Sequence, residues 1–293
     1  MKIGVFDSGY GGLTILHAMR QQLPQYDYLY LGDNARAPYG TRSFDVIYAY
    51  TLQAVKWLFE QDCALVILAC NTASAKALRT IQQRDLPQLR KENGNWHMAN
   101  VLGVIRPTVE AVPSLTKNGH IGILATPATV SSQSYVLELE KMPIIHTFRS
   151  FSKGDKNCQL SITQQACPMW VPLIEAGEHL NSGADYFVDK YLDELFAADP
   201  LIDTIILGCT HYPLIAGKIR TYLETKNLKP ETIYQGDIVA RSLADYLRRH
   251  QEFAPVLSQN GTCCFATTEA PDKFQDNAAL FLQTPIQAQH VAF

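Results

Sequence analysis

The sequence predicts an α/β protein with two similar doubly wound domains, related by pseudo-two-fold symmetry, and an active site in the cleft between them. Two observations lead to this prediction. Short apolar runs alternate with longer amphipathic ones along most of the chain, and a strand followed by a cysteine recurs in each half. The length of 293 residues also leaves room for about two domains of roughly 150 residues each.

The first hundred residues show the alternation most clearly. Runs of about five residues, rich in β-branched and aromatic side chains, are typical of buried parallel strands, and longer runs with a period of about 3.6 residues are typical of the helices that cover them. The predicted strands span residues 3–6, 28–31 and 64–69, and the predicted helices span residues 13–23, 44–59 and 72–84. In such folds, ligands bind beyond the carboxyl ends of the strands.

A polar stretch at residues 82–100 predicts a loop where the chain crosses between domains. The alternation resumes after it. The predicted strands are then residues 101–105, 121–125, 144–148, 204–207, 232–235 and 262–266, and the predicted helices begin at residues 107, 130, 184, 213, 238 and 274. The chain is therefore expected to be folded throughout.

Two segments of the first half resemble two segments of the second. IGVFDSG at residues 3–9 resembles IGILATP at residues 121–127, and VILACNT at residues 66–72 resembles IILGCTH at residues 205–211. The repeat places Cys70 and Cys209, 139 residues apart, at the same structural position, the end of a strand. Two domains built this way would hold one thiol on each side of a shared cleft.

Composition excludes several classes of function. With 25 basic and 28 acidic residues, the net charge of −3 leaves no basic excess for a broad nucleic-acid or anionic-membrane surface. The seven cysteines form no C-x-x-C pair and no regular framework, and the histidines lack metal-ligand spacing, so neither disulfides nor a metal site is expected. We see no secretory signal and no membrane span, which predicts a cytoplasmic protein with reduced thiols.

Cys70 and Cys209 are the leading candidates for acid–base chemistry. Each follows an apolar strand and precedes a predicted helix, and a helix N-terminus is expected to lower a thiol pKa from about 8.5 toward neutrality. His211, two residues after Cys209, offers a proton partner. A single free cysteine is most often a small buried residue, but the repeated arrangement favours function. The remaining cysteines, at positions 63, 158, 167, 263 and 264, lack these flanks and are expected to be structural.

Other loops at the same edge carry weaker signals. Residues 7–12, DSGYGG, suit either a carboxylate-binding loop or a tight turn that merely needs glycine, and the Asp7 carboxylate could hold an ammonium group or orient a thiol. Residues 33–40 are either part of the site or a plain surface loop, and Thr126 either contributes to the site or only caps a helix. Glu175 is either solvated or reaches into the cleft, and both readings stay open.

Taken together, these motifs resemble bacterial glutamate racemases of the aspartate/glutamate racemase family. The resemblance rests on DSGYGG at residues 7–12, PYG at residues 38–40, ACNTAS at residues 69–74 and GCTHYP at residues 208–213, and it extends to TTEAPDKF at residues 267–274. The motifs occur in the family's order and cover nearly the whole chain. The resemblance implies a cofactor-independent enzyme that interconverts L- and D-glutamate and supplies D-glutamate for peptidoglycan.

The resemblance also implies a domain division and a set of site residues. Residues 1–98 together with 213–293 would form the first domain, and residues 99–212 the second. Cys70 would take the α-proton from D-glutamate and Cys209 from L-glutamate, assisted by Asp7, His211 and Glu175. The residues expected to hold the substrate's carboxylates and ammonium are Asp7, Ser8, Pro38, Tyr39, Gly40, Asn71, Thr72, Thr126, Thr210 and His211.

Two other functions compete with this one. A related racemase that prefers aspartate is the nearest, although the histidine at position 211 favours glutamate, because aspartate-type relatives usually carry an acidic residue there. A binding or regulatory protein that keeps the fold without turnover is the other, and the presence of both cysteines argues against it. The expected partner is a small-molecule substrate, with no nucleic acid, membrane or metal. The oligomeric state, including a homodimer, stays open at this point.

Overall fold

The computed structural model describes residues 1–142, 160–282 and 284–293, and its strands form two sheets in which every pairing is parallel. The strands are β1 Lys2–Asp7, β2 Tyr28–Gly32, β3 Cys63–Leu68, β4 Asn100–Gly103, β5 His120–Ala125, β6 Ser161–Ala166, β7 Thr204–Gly208, β8 Glu231–Ile233, β9 Cys263–Thr267 and β10 Ala288–His290. The predicted α/β class with two domains is confirmed.

The two sheets share one strand order. The first sheet runs β10-β9-β2-β1-β3-β4 and the second runs β6-β5-β7-β8. Four strands of the first, β2-β1-β3-β4, therefore match the second strand for strand. In this correspondence β1 is equivalent to β5, and β3, which precedes Cys70, is equivalent to β7, which precedes Cys209. The internal repeat in the sequence thus reflects a repeated folding unit.

Helices cover both faces of each sheet, as buried parallel strands require. The longer and site-forming helices are α1 Gly12–Gln22, α2 Phe44–Glu60, α3 Asn71–Lys76, α4 Leu78–Thr80, α5 Leu86–Glu92, α6 Ile105–Ala111, α7 Pro127–Ser132, α8 Ser134–Leu139, α9 Trp170–Glu175, α10 Ser182–Ala198, α11 Ala216–Thr225, α12 Gln235–Arg249 and α13 Pro271–Leu282. Successive residues of β7 enter opposite cores, Ile205 and Leu207 on one side and Ile206 on the other. Within the described ranges, no helix is both long and apolar enough to cross a membrane.

The polar stretch predicted as a loop at residues 82–100 is largely helical, so that prediction is wrong. A π-helical turn, Ile81–Asp85, joins α4 to α5. Ile81, Leu86 and Leu89 are buried and apolar. Ile81 and Leu86 are five residues apart, a spacing that would put them on different faces of an α-helix. The extra residue in the π turn brings them together, which explains why a search for a 3.6-residue period missed the helix.

The predicted domain limits differ from the sheets at two strands. β4 was expected in the second domain but pairs with β3 of the first sheet, and β8 was expected in the first domain but pairs with β7 of the second. In each domain, the fourth strand of the repeated unit is added before the chain passes to the other domain. The chain therefore crosses between the domains after β4 and again after β8. We therefore propose domain limits near residues 103 and 234.

Three further differences concern single elements. The helix predicted from residue 130 is instead two short helices, α7 and α8, separated at Gln133, whose positive φ of 55° interrupts the helix. Strands β6 and β10 were not predicted, because the polar sequence of β6 does not match the apolar pattern of a buried strand and β10 has only three residues. The strand predicted at residues 144–148 and Cys158 lie outside the described residues.

Candidate active site

Cys70 and Cys209 lie at the carboxyl ends of equivalent strands and line one cavity between the two domains. Both side chains are buried, with exposed fractions of 5% and 7%. A parallel sheet opens its loops at the carboxyl edge, so two such edges that face each other enclose a site with one thiol from each domain. A larger cavity, lined by Arg79, Arg106 and Tyr246, holds neither thiol.

The Cys70 thiol is held by neutral donors in a dry environment. Its Sγ lies 3.3 Å from Ser8 Oγ and accepts the backbone N–H of Ala73 at 3.4 Å. Burial raises the pKa of Cys70 to about 12, and the nearby charge of Asp7 adds to this rise. The expected lowering by a helix N-terminus is therefore wrong for this structure, because α3 has only six residues and desolvation outweighs its dipole.

Asp7 lies close enough to Cys70 for its charge to act on that thiol, and it is almost wholly buried. Its Oδ2 accepts the backbone N–H of Gly9 at 2.9 Å, while its Oδ1 has no hydrogen-bond partner within the described parts of the chain. Burial raises the pKa of Asp7, and the positive charge of His211 opposes the rise. A buried carboxylate with a free oxygen is suited to receive a cationic group.

His211 bridges Cys209 and Glu175 through its two ring nitrogens. His211 Nδ1 lies 3.8 Å from Cys209 Sγ, and His211 Nε2 lies 3.0 Å from Glu175 Oε1. Burial alone would lower the pKa of His211, but its hydrogen bonds to Cys209 and Glu175 raise that pKa well above the usual value. An imidazolium therefore stands beside the second thiol, and Glu175 reaches into the cleft.

Every residue predicted for the site lines this one cavity, although their roles in catalysis are a separate question. The cavity is lined by Asp7, Ser8, Pro38, Tyr39, Gly40, Cys70, Asn71, Thr72, Thr126, Glu175, Cys209, Thr210 and His211. Several of them join the domains directly. Thr72 Oγ1 lies 3.0 Å from Thr126 Oγ1, and the carbonyl of Gly40 accepts the N–H of Ala128 at 2.9 Å.

Cys167, which was expected to be structural, packs in the core of the second domain and also lines the cavity after β6, which the sequence did not indicate. Burial raises the pKa of Cys167 well above its usual value. The position of this cysteine at a strand end was hidden because β6 itself was not predicted. Residues 33–40, for which the sequence left a site segment and a surface loop open, contribute Pro38, Tyr39 and Gly40 to the cavity. Asp33 in the same segment is fully buried and hydrogen-bonded to Arg36 and Tyr39.

The described residues contain no group of three or more His, Cys, Asp or Glu side chains placed to hold a metal ion. The polar side-chain groups that line the cavity are hydroxyls, one amide, one imidazole and carboxylates in addition to the thiols. Such groups are suited to bind a small zwitterion, whose carboxylates take hydrogen-bond donors and whose ammonium takes an acidic partner.

Comparison with known proteins decides the family. Residues 3–233 match the family model of Asp/Glu/hydantoin racemases. The chain belongs to the Asp/Glu/hydantoin racemase family. A glutamate racemase of Roseobacter denitrificans is 38% identical, with 98% of each chain covered.

Solved structures show the same kinship for this racemase. Glutamate racemase of Francisella tularensis, solved with D-glutamate, superposes with a TM-score of 0.79 at 32% identity, covering 99% of this chain and 97% of that one. Escherichia coli glutamate racemase, solved with L-glutamate and the activator UDP-MurNAc-Ala, gives a TM-score of 0.63 at 25% identity, with 99% and 97% covered. The chain is therefore an enzyme, an amino-acid racemase of the glutamate racemase type.

Replacing Gly11 with alanine is expected to lower kcat of this racemase about tenfold or more by displacing His211. A Cβ at Gly11 would lie 2.5 Å from both His211 Nδ1 and Thr210 Oγ1, well inside contact distance. The ring cannot move freely because Cys209 and Glu175 hold its two nitrogens. Gly217→Ala in α11 is the control, because nothing lies within 4 Å of its added Cβ, and its kcat should not change. Equal activity of both variants would contradict this placement of Gly11.

Replacing Asp7 with asparagine is expected to stabilise the racemase while lowering its activity. Because burial raises the pKa of Asp7, its ionised form destabilises the fold, and this cost grows as pH rises above the unfolded value of 3.8. If the cost is about 1 kcal/mol, Asp7→Asn raises Tm by about 2–4 °C at pH 8 and by less at pH 4. Thermal unfolding at both pH values checks this.

Asp199 provides the control, because the same substitution there is expected to change Tm in the opposite direction. Burial would raise the pKa of Asp199, but hydrogen bonds from His120 and Ser161 lower it overall. Its carboxylate therefore stabilises the fold at neutral pH, and Asp199→Asn should lower Tm at pH 8. A fall in Tm for Asp7→Asn as well would contradict the account of Asp7.

Proposed function

We propose that the protein interconverts L- and D-glutamate without a cofactor, by proton transfer between the α-carbon and two cysteines. Cys70 exchanges a proton with one face of the α-carbon and Cys209 with the other. The observation that carries the proposal is the pair of thiols, one from each domain, that line a single cavity. Inversion of a stereocentre by proton transfer needs a base on one face and an acid on the other, and this arrangement supplies both.

The two thiols have different surroundings, which suits complementary roles in proton transfer. The raised pKa of Cys70 keeps it a thiol at neutral pH, ready to donate a proton. The imidazolium of His211, 3.8 Å from Cys209 Sγ, attracts negative charge to that sulfur. This asymmetry suits the direction from L- to D-glutamate, in which Cys209 takes the α-proton and Cys70 donates one.

In that direction, the Cys209 thiolate takes the α-proton and leaves an electron pair on the α-carbon. The Cys70 thiol then donates its proton to the opposite face, so one C–H bond breaks and another forms with no net change in charge. The reverse reaction starts from the Cys70 thiolate and the Cys209 thiol. Between turnovers, the two sulfurs return to their initial protonation states by exchange with solvent.

The substrate's own charges are matched by the cavity walls. Asp7, with a free carboxylate oxygen, receives the ammonium group, and the donors of Ser8, Asn71, Thr72, Thr126 and Thr210 receive the two carboxylates. Bringing an ammonium next to Cys70 also lowers the pKa of that thiol, which lets it serve as a base for D-glutamate. Hydrogen-bond donors fixed around the α-carboxylate stabilise the charge that develops on proton removal.

The cleft must open to admit glutamate. The cavity between the domains measures about 40 Å³, which is room for a few water molecules only. The contacts across the cavity, namely the side-chain contact between Thr72 and Thr126 and the backbone hydrogen bond from Ala128 N–H to the Gly40 carbonyl, are all noncovalent, so the domains can separate there. Closure over the substrate then excludes water from the reacting α-carbon.

We also propose that the product D-glutamate is used for peptidoglycan and that the enzyme works in the cytoplasm. The six cysteines within the described residues are all unpaired, which suits a reducing compartment. Expression in a bacterium that requires D-glutamate for growth tests the first part. Growth without added D-glutamate is expected for the wild-type chain, and absence of growth despite full expression would contradict it.

Circular dichroism of L-glutamate incubated with the purified protein tests the activity. The signal is expected to decay to zero, because the two enantiomers have equal free energies and the mixture at equilibrium is racemic. D-Glutamate should decay to the same endpoint. Decay with aspartate but not with glutamate would assign the enzyme to the aspartate-preferring relatives, and decay with neither would favour a binding protein.

A further inference from the structure

Directly behind the two cysteine loops lies a cluster of four buried polar side chains from four different elements. Asn71 is the first residue of α3, Thr108 belongs to α6, Tyr135 to α8, and Gln235 is the first residue of α12. All four have exposed fractions of 3% or less. Only Asn71 was expected in the site, and the mechanism gives the other three no role.

Gln235 lies at the centre of the cluster. Its Oε1 accepts a hydrogen bond from Asn71 Nδ2 at 2.6 Å, and its Nε2 lies 2.8 Å from Thr108 Oγ1 and 2.9 Å from Tyr135 OH. Tyr135 OH in turn donates to Asn71 Oδ1 at 2.7 Å. Each polar atom has a partner, so the cluster fixes the orientation of every member.

The cluster touches both cysteine loops. Asn71 directly follows Cys70. Its side-chain hydrogen bond to Gln235 therefore fixes the backbone from which the first thiol projects. The ring of Tyr135 packs against the backbone that carries the second thiol: a Cβ added to Gly208, which precedes Cys209, would lie 3.2 Å from Tyr135 Cε2. One short chain of contacts therefore runs from one cysteine loop to the other.

The cluster also sits where the chain crosses between the domains. Gln235 begins α12 directly after β8, at the second crossing, and Thr108 lies in α6, shortly after β4 and the first crossing. The hydrogen bonds among its four side chains therefore connect both chain crossings and both domains. A displacement of one domain relative to the other would have to break these buried hydrogen bonds or carry the cluster with it.

We infer that Gln235 is a positioning residue of this racemase: by holding Asn71, Thr108 and Tyr135 together, it sets the separation of Cys70 from Cys209. The inference rests on the proposed two-cysteine mechanism, because only a reaction on two faces of one carbon requires that separation to be fixed. Misplacement of a reacting group by about 1 Å can cost about 10²-fold in rate, so a side chain outside the cavity can control kcat.

The test replaces Gln235 with methionine, which keeps the length of the side chain and removes all its hydrogen bonds. We expect kcat for glutamate to fall about tenfold or more, with KM changed by less than about threefold, because the substrate contacts remain while the thiols are misplaced. Iodoacetamide labelling followed by mass spectrometry should show faster alkylation of Cys70, whose loop has lost its anchor. The second readout does not depend on turnover.

Two further variants complete the design. Ser161→Ala removes one hydrogen bond, to Asp199 at 2.7 Å, at the edge of the second sheet away from the cavity, and should change neither kcat nor alkylation. Tyr135→Phe removes only the bond to Asn71 and the contact with Gln235, and decides the matter if the Gln235→Met variant does not fold. A lower kcat and faster alkylation of Cys70 in Tyr135→Phe support the role.

Unchanged kcat and unchanged alkylation in a folded Gln235→Met variant would overturn the inference, as would equal losses in Ser161→Ala. Failure of the proposed function gives a different result. In that case the wild-type chain does not racemise glutamate, and the alkylation rates alone decide whether Gln235 positions Cys70: faster labelling supports the role and unchanged labelling overturns it.

Discussion

Replacing either Cys70 or Cys209 with serine is expected to lower kcat for glutamate racemisation by about 10³-fold or more, within the range of about 10²–10⁴ typical of lost acid–base groups. A serine hydroxyl is nearly isosteric with a thiol but far less acidic, so it can neither supply a usable base nor match the proton-transfer step. Both variants should fold, because each change replaces one buried atom.

Cys63 provides the matched control, because it begins the same strand, β3, that ends just before Cys70, and is equally buried. Cys63→Ser tests the effect of a buried hydroxyl without touching the cavity, and should keep kcat while Tm falls. Enantiomers have equal free energies, so kcat/KM must be equal in both directions for every variant. A Cys70→Ser or Cys209→Ser variant that keeps a tenth or more of wild-type kcat would contradict the two-thiol account.

Replacing His211 with asparagine is expected to lower kcat by about 10²-fold, because it removes the imidazolium beside Cys209. The arrangement is compact: His211 bridges Cys209 at 3.8 Å and Glu175 at 3.0 Å, and all three groups line the cavity. Without the cation, negative charge that develops at Cys209 Sγ during proton transfer has no positive partner in a buried site. Steady-state kinetics with L-glutamate measures the loss.

His120 is the control for this prediction, because it forms a similar pair with a carboxylate far from the cleft. His120 Nδ1 lies 2.8 Å from Asp199 Oδ2 at the amino end of β5. His120→Asn should cost stability and leave kcat within about twofold, since surface and edge pairs act on folding alone. If His120→Asn and His211→Asn lower kcat equally, the loss in His211→Asn reflects folding and the proposed role of His211 fails.

Much of the fold follows from the sequence because buried parallel strands are short, apolar and β-branched. β1, β3, β5 and β7 all have this character, and their repeat with one cysteine per half indicated two like domains. The strands that were missed lack it: β6 reads SITQQA, and no apolar run marks it. Cys167, which follows β6, packs in the core as expected, but the sequence did not indicate that it also lines the cavity.

The pKa values and contacts in the site were less predictable from the sequence than the identities of the residues that line it. The motifs named the residues around the cavity, yet the pKa of Cys70 moved opposite to the expectation from its helix. Local sequence indicates a dipole, whereas desolvation depends on how closely the second domain covers the thiol. The contact between Glu175 and His211 joins residues 36 positions apart, and only the packing of α9 against the loop after β7 brings them together.

Incorporation of deuterium during the first turnovers in ²H₂O tests the central claim most directly. In the two-thiol account, L-glutamate loses its α-proton to Cys209 and receives a solvent-derived deuteron from Cys70. The D-glutamate formed first should therefore carry deuterium at the α-carbon, while the remaining L-glutamate still carries protium. D-Glutamate that retains the substrate's own α-proton would show that a single group acts on both faces, and would contradict the account.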